Sequence, residues 1–260
     1  MQWILQRFED TEKLAPALDR LGLAYSFHKV VPFVGELEPA PTINDPDSVI
    51  FFGSYTLWRY AEKHRLRPGV FKLRPFLHEA PWRPHMLNAD ARTLPLADIP
   101  KHLATDDTAH FFRPVDDSKE IAGRVLTGAE IVEIAQKVLA LPPEDIPRGA
   151  LRPETEMMLA APTRIQKEWR LWVVNDLIIT ASLYKEGARV TYREDLDDDA
   201  RSFANTLIQA NPNYARAYVM YICRTATGLH LLETNCINAA GFYAADLTKL
   251  AAALEALIPH

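Results

Sequence analysis

Cysteine is nearly absent from this 260-residue chain: Cys223 and Cys236 are the only two, both in strand-like surroundings. Two thiols cannot build a disulfide framework, and no CxxC spacing offers a metal knuckle. They read as buried free thiols of a reducing compartment. Glycine is scarce too, with ten residues. No GxGxxG, Walker A or GxSxG pattern occurs, which removes the dinucleotide, P-loop and hydrolase-elbow readings. The eight histidines show no HExxH or other metal spacing. No apolar run approaches the roughly 20 residues of a membrane span, so no membrane partner is expected. The opening "MQWILQRFEDTEK" turns charged within a few residues, so no secretory signal is expected and the protein reads as cytoplasmic. Excess positive charge is also lacking: 29 Lys and Arg face 34 Asp and Glu, a net charge of −5. A dedicated nucleic-acid binder needs a concentrated positive face, so none is expected here. A local basic cleft for a small anion remains open.

What is present fits a globular protein, with 48% hydrophobic and 24% charged residues. The length allows one large domain or two modest ones. "MQWILQRF" predicts a strand, and "EDTEKLAPALDRLGL" predicts a helix on the spacing of Leu14, Leu18 and Leu21. "AYSFHKVVPF", "SVIFFG" and the Ser-capped "SYTLWRYAEKHRL" continue a strand–helix alternation, which predicts a small α/β unit with parallel strands. Residues 68–100 are proline-rich and read as irregular, with a short helix in "TLPLADIPKHLA". Beyond them the pattern changes. "QKEWRLWVVND" and "LIITASLYKEG" read as a hairpin turning at Asn175-Asp176. "YARAYVMYICR" and "GLHLLETN" read as a second antiparallel pair. Helices are expected in "GAEIVEIAQKVLAL", "EDLDDDARSFANTLIQAN" and the closing "YAADLTKLAAALEALI". The fold class is therefore α+β, with domains expected at 1–100 and 101–260.

Three stretches carry candidate chemistry. In "GLHLLETN" alternation sends Leu231, Glu233 and Asn235 to one face. Paired carboxylate and amide oxygens suit magnesium carrying a nucleotide, and suit zinc poorly. A solvated strand end is the structural alternative. In "FFRPVDDSK" Arg113 interrupts an apolar strand and Lys119 follows a polar turn, so both are candidates for phosphate oxygens. Arg113 paired to a carboxylate such as Glu168 is the alternative. In "KEWRLWVVND" Glu168 and Arg170 share one face, with Trp169 and Leu171 on the other. That reads as a polar cleft between two layers, or else as a cross-strand salt bridge. Lys185, on the partner strand, reads as a solvated charge.

Taken in order, "FFRPVDDSKEIAG", "EMMLAAP", "KEWRLWVVNDLIITASLY", "YVMYICR" and "HLLETNCINAAGFY" resemble the ATP-grasp superfamily. The nearest likeness is to a divergent clade with two arginines and a lysine at the nucleotide site. The resemblance implies two α+β lobes clasping ATP, preceded by a small N-terminal α/β domain. It implies that Arg113, Lys119, Glu168, Arg170 and the hinge strand Leu159, Ala160 and Ala161 contact ATP. Arg170 and Lys119 take catalytic roles, and Glu233 and Asn235 hold Mg2+. Asn238 and Tyr243 line the acceptor side. The implied reaction is ATP-dependent carboxylate–amine ligation through an acyl phosphate, on a small-molecule or peptide carboxylate and an amine. Tyr221 departs from the pattern, standing where the family has an acidic metal ligand. A phenol, with a pKa near 10, is a poor magnesium ligand. The alternative is an ATP-binding module without catalysis, acting as a sensor or partner protein.

Overall fold

The computed structural model describes residues 1–31, 34–115, 123–147 and 149–257. The chain opens with strand β1 (Gln2–Gln6), helix α1 (Glu9–Arg20), β2 (Tyr25–Val30), β3 (Leu37–Glu38), β4 (Val49–Phe52), α2 (Tyr55–Lys63) and β5 (Pro68–Gly69). Helix α1 carries Glu9, Asp10 and Glu12 in its first turn and Arg20 in its last, the charge order its dipole favours. The strands form one sheet in the order β3-β2-β1-β4-β5. Pairings β1–β2, β1–β4 and β4–β5 are parallel, while the short β3 is antiparallel to β2. The α/β alternation read from sequence is thus a parallel sheet. Strand β4 is buried along its whole length, as parallel strands covered on both faces are.

The chain then forms β6 (Arg92–Pro95), α3 (Ile99–His102), β7 (Ala109–Pro114), β8 (Arg124–Thr127), α4 (Gly128–Leu139) and β9 (Glu156–Ala160). These strands make an antiparallel sheet in the order β6-β9-β7-β8. Thr127 and Glu130 cap α4 reciprocally, which satisfies amides that the first helical turn leaves unbonded. Phe112, Ile131, Met157 and Leu159 are among the residues of this sheet's core.

The remaining elements are β10 (Lys167–Val174), β11 (Leu177–Glu186), β12 (Arg189–Arg193), α5 (Asp198–Ala210), β13 (Ala217–Thr225), β14 (Gly228–Asn235) and α6 (Leu247–Glu255). All five strands pair antiparallel, in the order β12-β11-β10-β13-β14. Asn175 and Asp176 both have positive φ, +47° and +59°, the backbone that a two-residue turn matched to strand twist demands.

By contacts along the chain, Met1–Phe76 and Ile165–His260 form one compact unit, and Leu77–Arg164 forms another. This is a different partition from domains of 1–100 and 101–260. In the first unit, Trp3, Leu14 and Phe52 share a single core with Trp172, Val219 and Leu250. The parallel sheet and the β10–β14 sheet therefore exclude water together. Each fully buried large apolar side chain contributes about 1.5–3 kcal/mol. Trp169 and Leu171 are also fully buried, so β10 is covered on both faces and is no inverted surface strand. Among the described residues no helix is long and apolar enough to cross a membrane.

Candidate functional site

In the unit built on the parallel sheet and the β10–β14 sheet, strand register assigns one sheet face. Arg170 pairs with Tyr221 on β13 and Ser182 on β11. Tyr221 in turn pairs with Glu233 on β14, and Val219 pairs with Asn235. Paired residues share a face, so Arg170, Tyr221, Ser182, Glu233 and Asn235 all do. A register shift between Tyr221 and Ile222 sets Ile222 opposite Leu231. Neighbouring Tyr221 and Ile222 point to opposite faces, so Leu231 points away from Glu233. The expectation that Leu231 joins Glu233 and Asn235 is corrected by this β-bulge, which inserts one residue and breaks the alternation. Glu233 and Asn235 themselves stay together: Asn235 Nδ2 donates to Glu233 Oε1 at 3.1 Å.

A second bulge lies between Glu168 and Trp169, where β11 has one residue more than β10. It lets two consecutive β11 residues reach one carboxylate. The Tyr184 hydroxyl donates to Glu168 Oε2, and Lys185 Nζ lies 3.0 Å from Glu168 Oε1. Glu168 is 5% exposed, and a buried carboxylate needs such partners. Lys185 is therefore an ion-pair partner and no solvated charge. Burial, and next the charge of Glu168, push the Tyr184 hydroxyl far above its ordinary pKa, so it remains a donor.

Arg170 is 7% exposed. Its Nη1 donates to the Gly241 carbonyl. Its Cζ lies 4.0 Å from the Tyr243 ring centroid and 4.3 Å from that of Tyr221, distances at which ring quadrupoles stabilise a cation. Burial works against the charged guanidinium, while Tyr243, Tyr184 and Glu233 favour it. Arginine stays protonated under such opposition. Among the described residues, Arg170 Nε and the Tyr221 hydroxyl have no hydrogen-bond partner. Buried orphan donors cost about 1–3 kcal/mol each and mark places where a missing acceptor would bind.

The segment after β14 is pinned over this face. Thr180 and Ser182 accept from the amides of Asp246 (2.9 Å) and Ala244 (3.4 Å). Gly241 is required by close approach: a Cβ there would lie 3.1 Å from Asp10 Oδ2 and 3.6 Å from Arg170 Nη1. Tyr243 has φ +50°, a strained value for a bulky residue. Its ring stacks on Tyr184 (5.4 Å) and on Tyr192 (4.8 Å). Tyr192 is 55% exposed on the edge strand β12. Sequence reading missed Tyr184 and Tyr192. An aromatic count along the strands was the available signal, but stacking depends on the bulge and on the pinned segment.

Asn238 is placed elsewhere. It is 2% exposed; its Nδ2 donates to Phe51 O at 2.6 Å and its Oδ1 accepts from Phe71 N at 2.8 Å. Both ends of the amide are spent on backbone, so Asn238 clamps β4 to the end of β14.

In the Leu77–Arg164 unit, Arg113 is half-buried and its Nε donates to Pro114 O at 3.0 Å. It pairs with Met158 across β9, while its neighbour Phe112 enters the core. Arg113 therefore stands on the face away from that core, and is not the fully buried arginine that the apolar strand implied. Leu159, Ala160 and Ala161 line a cleft of about 480 Å³ together with Asn88, Arg92 and His110. The Leu159 side chain packs in the core, so this strand end presents backbone and small side chains. Lys119 lies outside the described residues.

Among the described residues no cluster of three His, Cys, Asp or Glu could hold a metal. The Glu233–Asn235 oxygens, beside a buried arginine, fit instead a hard divalent cation that keeps water or phosphate oxygens as its other ligands.

The chain matches an ATP-grasp domain family over residues 42–257, family 3 of the clade named for its two arginines and one lysine. No curated protein matches it. Among solved structures it is similar to D-cycloserine synthetase DcsG, at TM-score 0.65 and 14% identity with 99% of each chain covered. It is similar to the macrocyclase MdnC from Microcystis aeruginosa MRC, bound with precursor peptide MdnA, at TM-score 0.58 and 12% identity over 99% of this chain and 100% of that one. It is also similar to the ATP-grasp ligase PsnB complexed with minimal precursor, Mg and ADP, at TM-score 0.54 and 15% identity over 98% and 97%. At such identities the likeness is one of fold. The family match spans most of the sequence, and on it the chain belongs to the two-arginine, one-lysine clade of the ATP-grasp superfamily.

Proposed function

We propose that this protein is an ATP-dependent ligase joining a carboxylate to an amine. The observation that carries the reading is the single sheet face bearing Glu233, Asn235 and the buried Arg170, whose Nε lacks a partner among the described residues. A substrate carboxylate oxygen attacks the γ-phosphorus of ATP, and the β–γ bridging bond breaks to release ADP. The amine then attacks the carbonyl of the acyl phosphate, which loses phosphate and a proton to give the amide. Such transfers ask a protein for positioning and charge neutralisation. Glu233 and Asn235 would hold magnesium, which supplies charge neutralisation to phosphate oxygens when bound. Arg170 stabilises the oxygen on which negative charge develops, as preorganised donors do. Lys185 and Tyr184 keep Glu168 ionised yet compensated. Arg113 and the backbone of Leu159–Ala161 are assigned to nucleotide contacts, and Lys119 to the phosphates. Tyr243 and its stacked neighbours are assigned to the acceptor side.

Three printed descriptions support the class of substrate: D-cycloserine synthetase, a macrocyclase bound with its precursor peptide, and a ligase complexed with precursor, Mg and ADP. The test is ADP and phosphate release from ATP and Mg2+ with pooled amino acids and dipeptides. Release that depends on the pool supports ligation. ATP binding with no turnover across the pool favours the second reading, a nucleotide-binding module without catalysis. Tyr221, opposite Glu233, is the feature that favours it.

A further inference from the structure

We infer that this site takes one divalent cation with its nucleotide, and that the Arg170 guanidinium supplies the positive charge a second cation would bring. The inference rests on the ATP reading above and deepens it. Two carboxylates stand on the shared sheet face, Glu168 and Glu233. Glu168 is committed, with Tyr184 on one oxygen and Lys185 on the other. Glu233 and the adjacent Asn235 oxygen are the pair that suits a metal. The β13 positions facing that pair are Tyr221 and Val219, a protonated phenol and a hydrocarbon. Neither ligates a hard cation at neutral pH. Asp10, beside Gly241, is ion-paired with Lys13 at 3.7 Å.

Charge argues the same way. The Arg170 guanidinium lies over the Tyr221 ring at 4.3 Å, next to the residue opposite Glu233. A buried monovalent cation held there repels a second divalent ion. It also needs no ligands of its own, since its N–H groups are donors toward phosphate or carboxylate oxygen. The unpartnered Nε and the unpartnered Tyr221 hydroxyl sit at directly paired strand positions. They form a donor pair for one anionic oxygen, on ground where a two-metal site would need acceptors.

The test counts metal, not turnover. Manganese is titrated into the full-length protein saturated with a non-hydrolysable ATP analogue, and bound Mn2+ is counted by electron paramagnetic resonance. One Mn2+ per nucleotide-loaded chain is expected, with Mn2+ affinity weakened at least about tenfold in Glu233→Gln because a ligand charge is gone. Two Mn2+ per loaded chain would overturn the inference and leave the ATP reading standing. Failure of the analogue to bind at any Mn2+ concentration would overturn the ATP reading itself. Unchanged affinity in Glu233→Gln, with that variant's unfolding midpoint unaltered, would place the cation away from Glu233 and overturn the inference.

Discussion

At the scale of single residues, the site is held by buried polar groups whose partners are few and specific. Tyr184→Phe removes one of the two partners of Glu168 while keeping the ring stack. Leaving that buried carboxylate oxygen unsatisfied destabilises by about 1–3 kcal/mol, measured as a lowered urea midpoint at constant slope. An unchanged midpoint would mean that water replaces the phenol. Cys223 gives a pH prediction. Burial, and next the charge of Glu168, raise its thiol from 9.0 to about 12. A raised folded-state value means that the unfolded chain ionises first. The contribution is therefore whole below pH 9, and is lost as pH rises from 9 toward 12. Stability should fall over that window and fall less steeply in Cys223→Ala, read from denaturation curves at stepped pH. The same burial makes Cys223 inert to alkylation until unfolding. At this scale the sequence made Glu233, Asn235, Glu168 and Arg170 visible, because polar residues at period two inside apolar strands are conspicuous. It hid Leu231's true face and the Tyr184–Lys185 embrace of Glu168. Both follow from bulges, and a bulge changes register without changing composition.

At the scale of elements, hairpins were the most legible feature. Asn175-Asp176 could be read as a two-residue turn because few side chains tolerate positive φ at both positions. The parallel sheet was legible too, from short apolar runs alternating with amphipathic helices. Asn238 was not. Expected beside the acceptor, it instead binds Phe51 and Phe71 backbone, and nothing local to "CINAAG" reveals partners so distant in sequence. Asn238→Ala should destabilise by about 2–4 kcal/mol, since two buried backbone groups lose their partners. Asn238→Asp should be no better, because a carboxylate cannot donate to the Phe51 carbonyl. Urea unfolding of both variants checks this. A loss below about 0.5 kcal/mol in the alanine variant would mean the clamp is dispensable. If the clamp also fixes the end of β14, nucleotide affinity falls with stability.

At the scale of the whole molecule, the first 76 residues and the last stretch from Ile165 share one core. A composition shift near residue 100 could not reveal that arrangement. Contacts between segments so far apart leave no local pattern, only apolar residues that must find one another. The family was legible nonetheless, because the order of five short motifs survives where each alone is weak. The account's central claim is that ATP and magnesium bind through Glu233 and Asn235. The most direct test is the thermal unfolding midpoint with saturating ATP and Mg2+, wild type against Glu233→Gln. Ligand at about 100 times its Kd stabilises the native state by about 2.7 kcal/mol. The account predicts a rise of several degrees in the wild type, absent without Mg2+ and largely lost in Glu233→Gln. An unmoved wild-type midpoint, or an equal rise in both proteins, would contradict it.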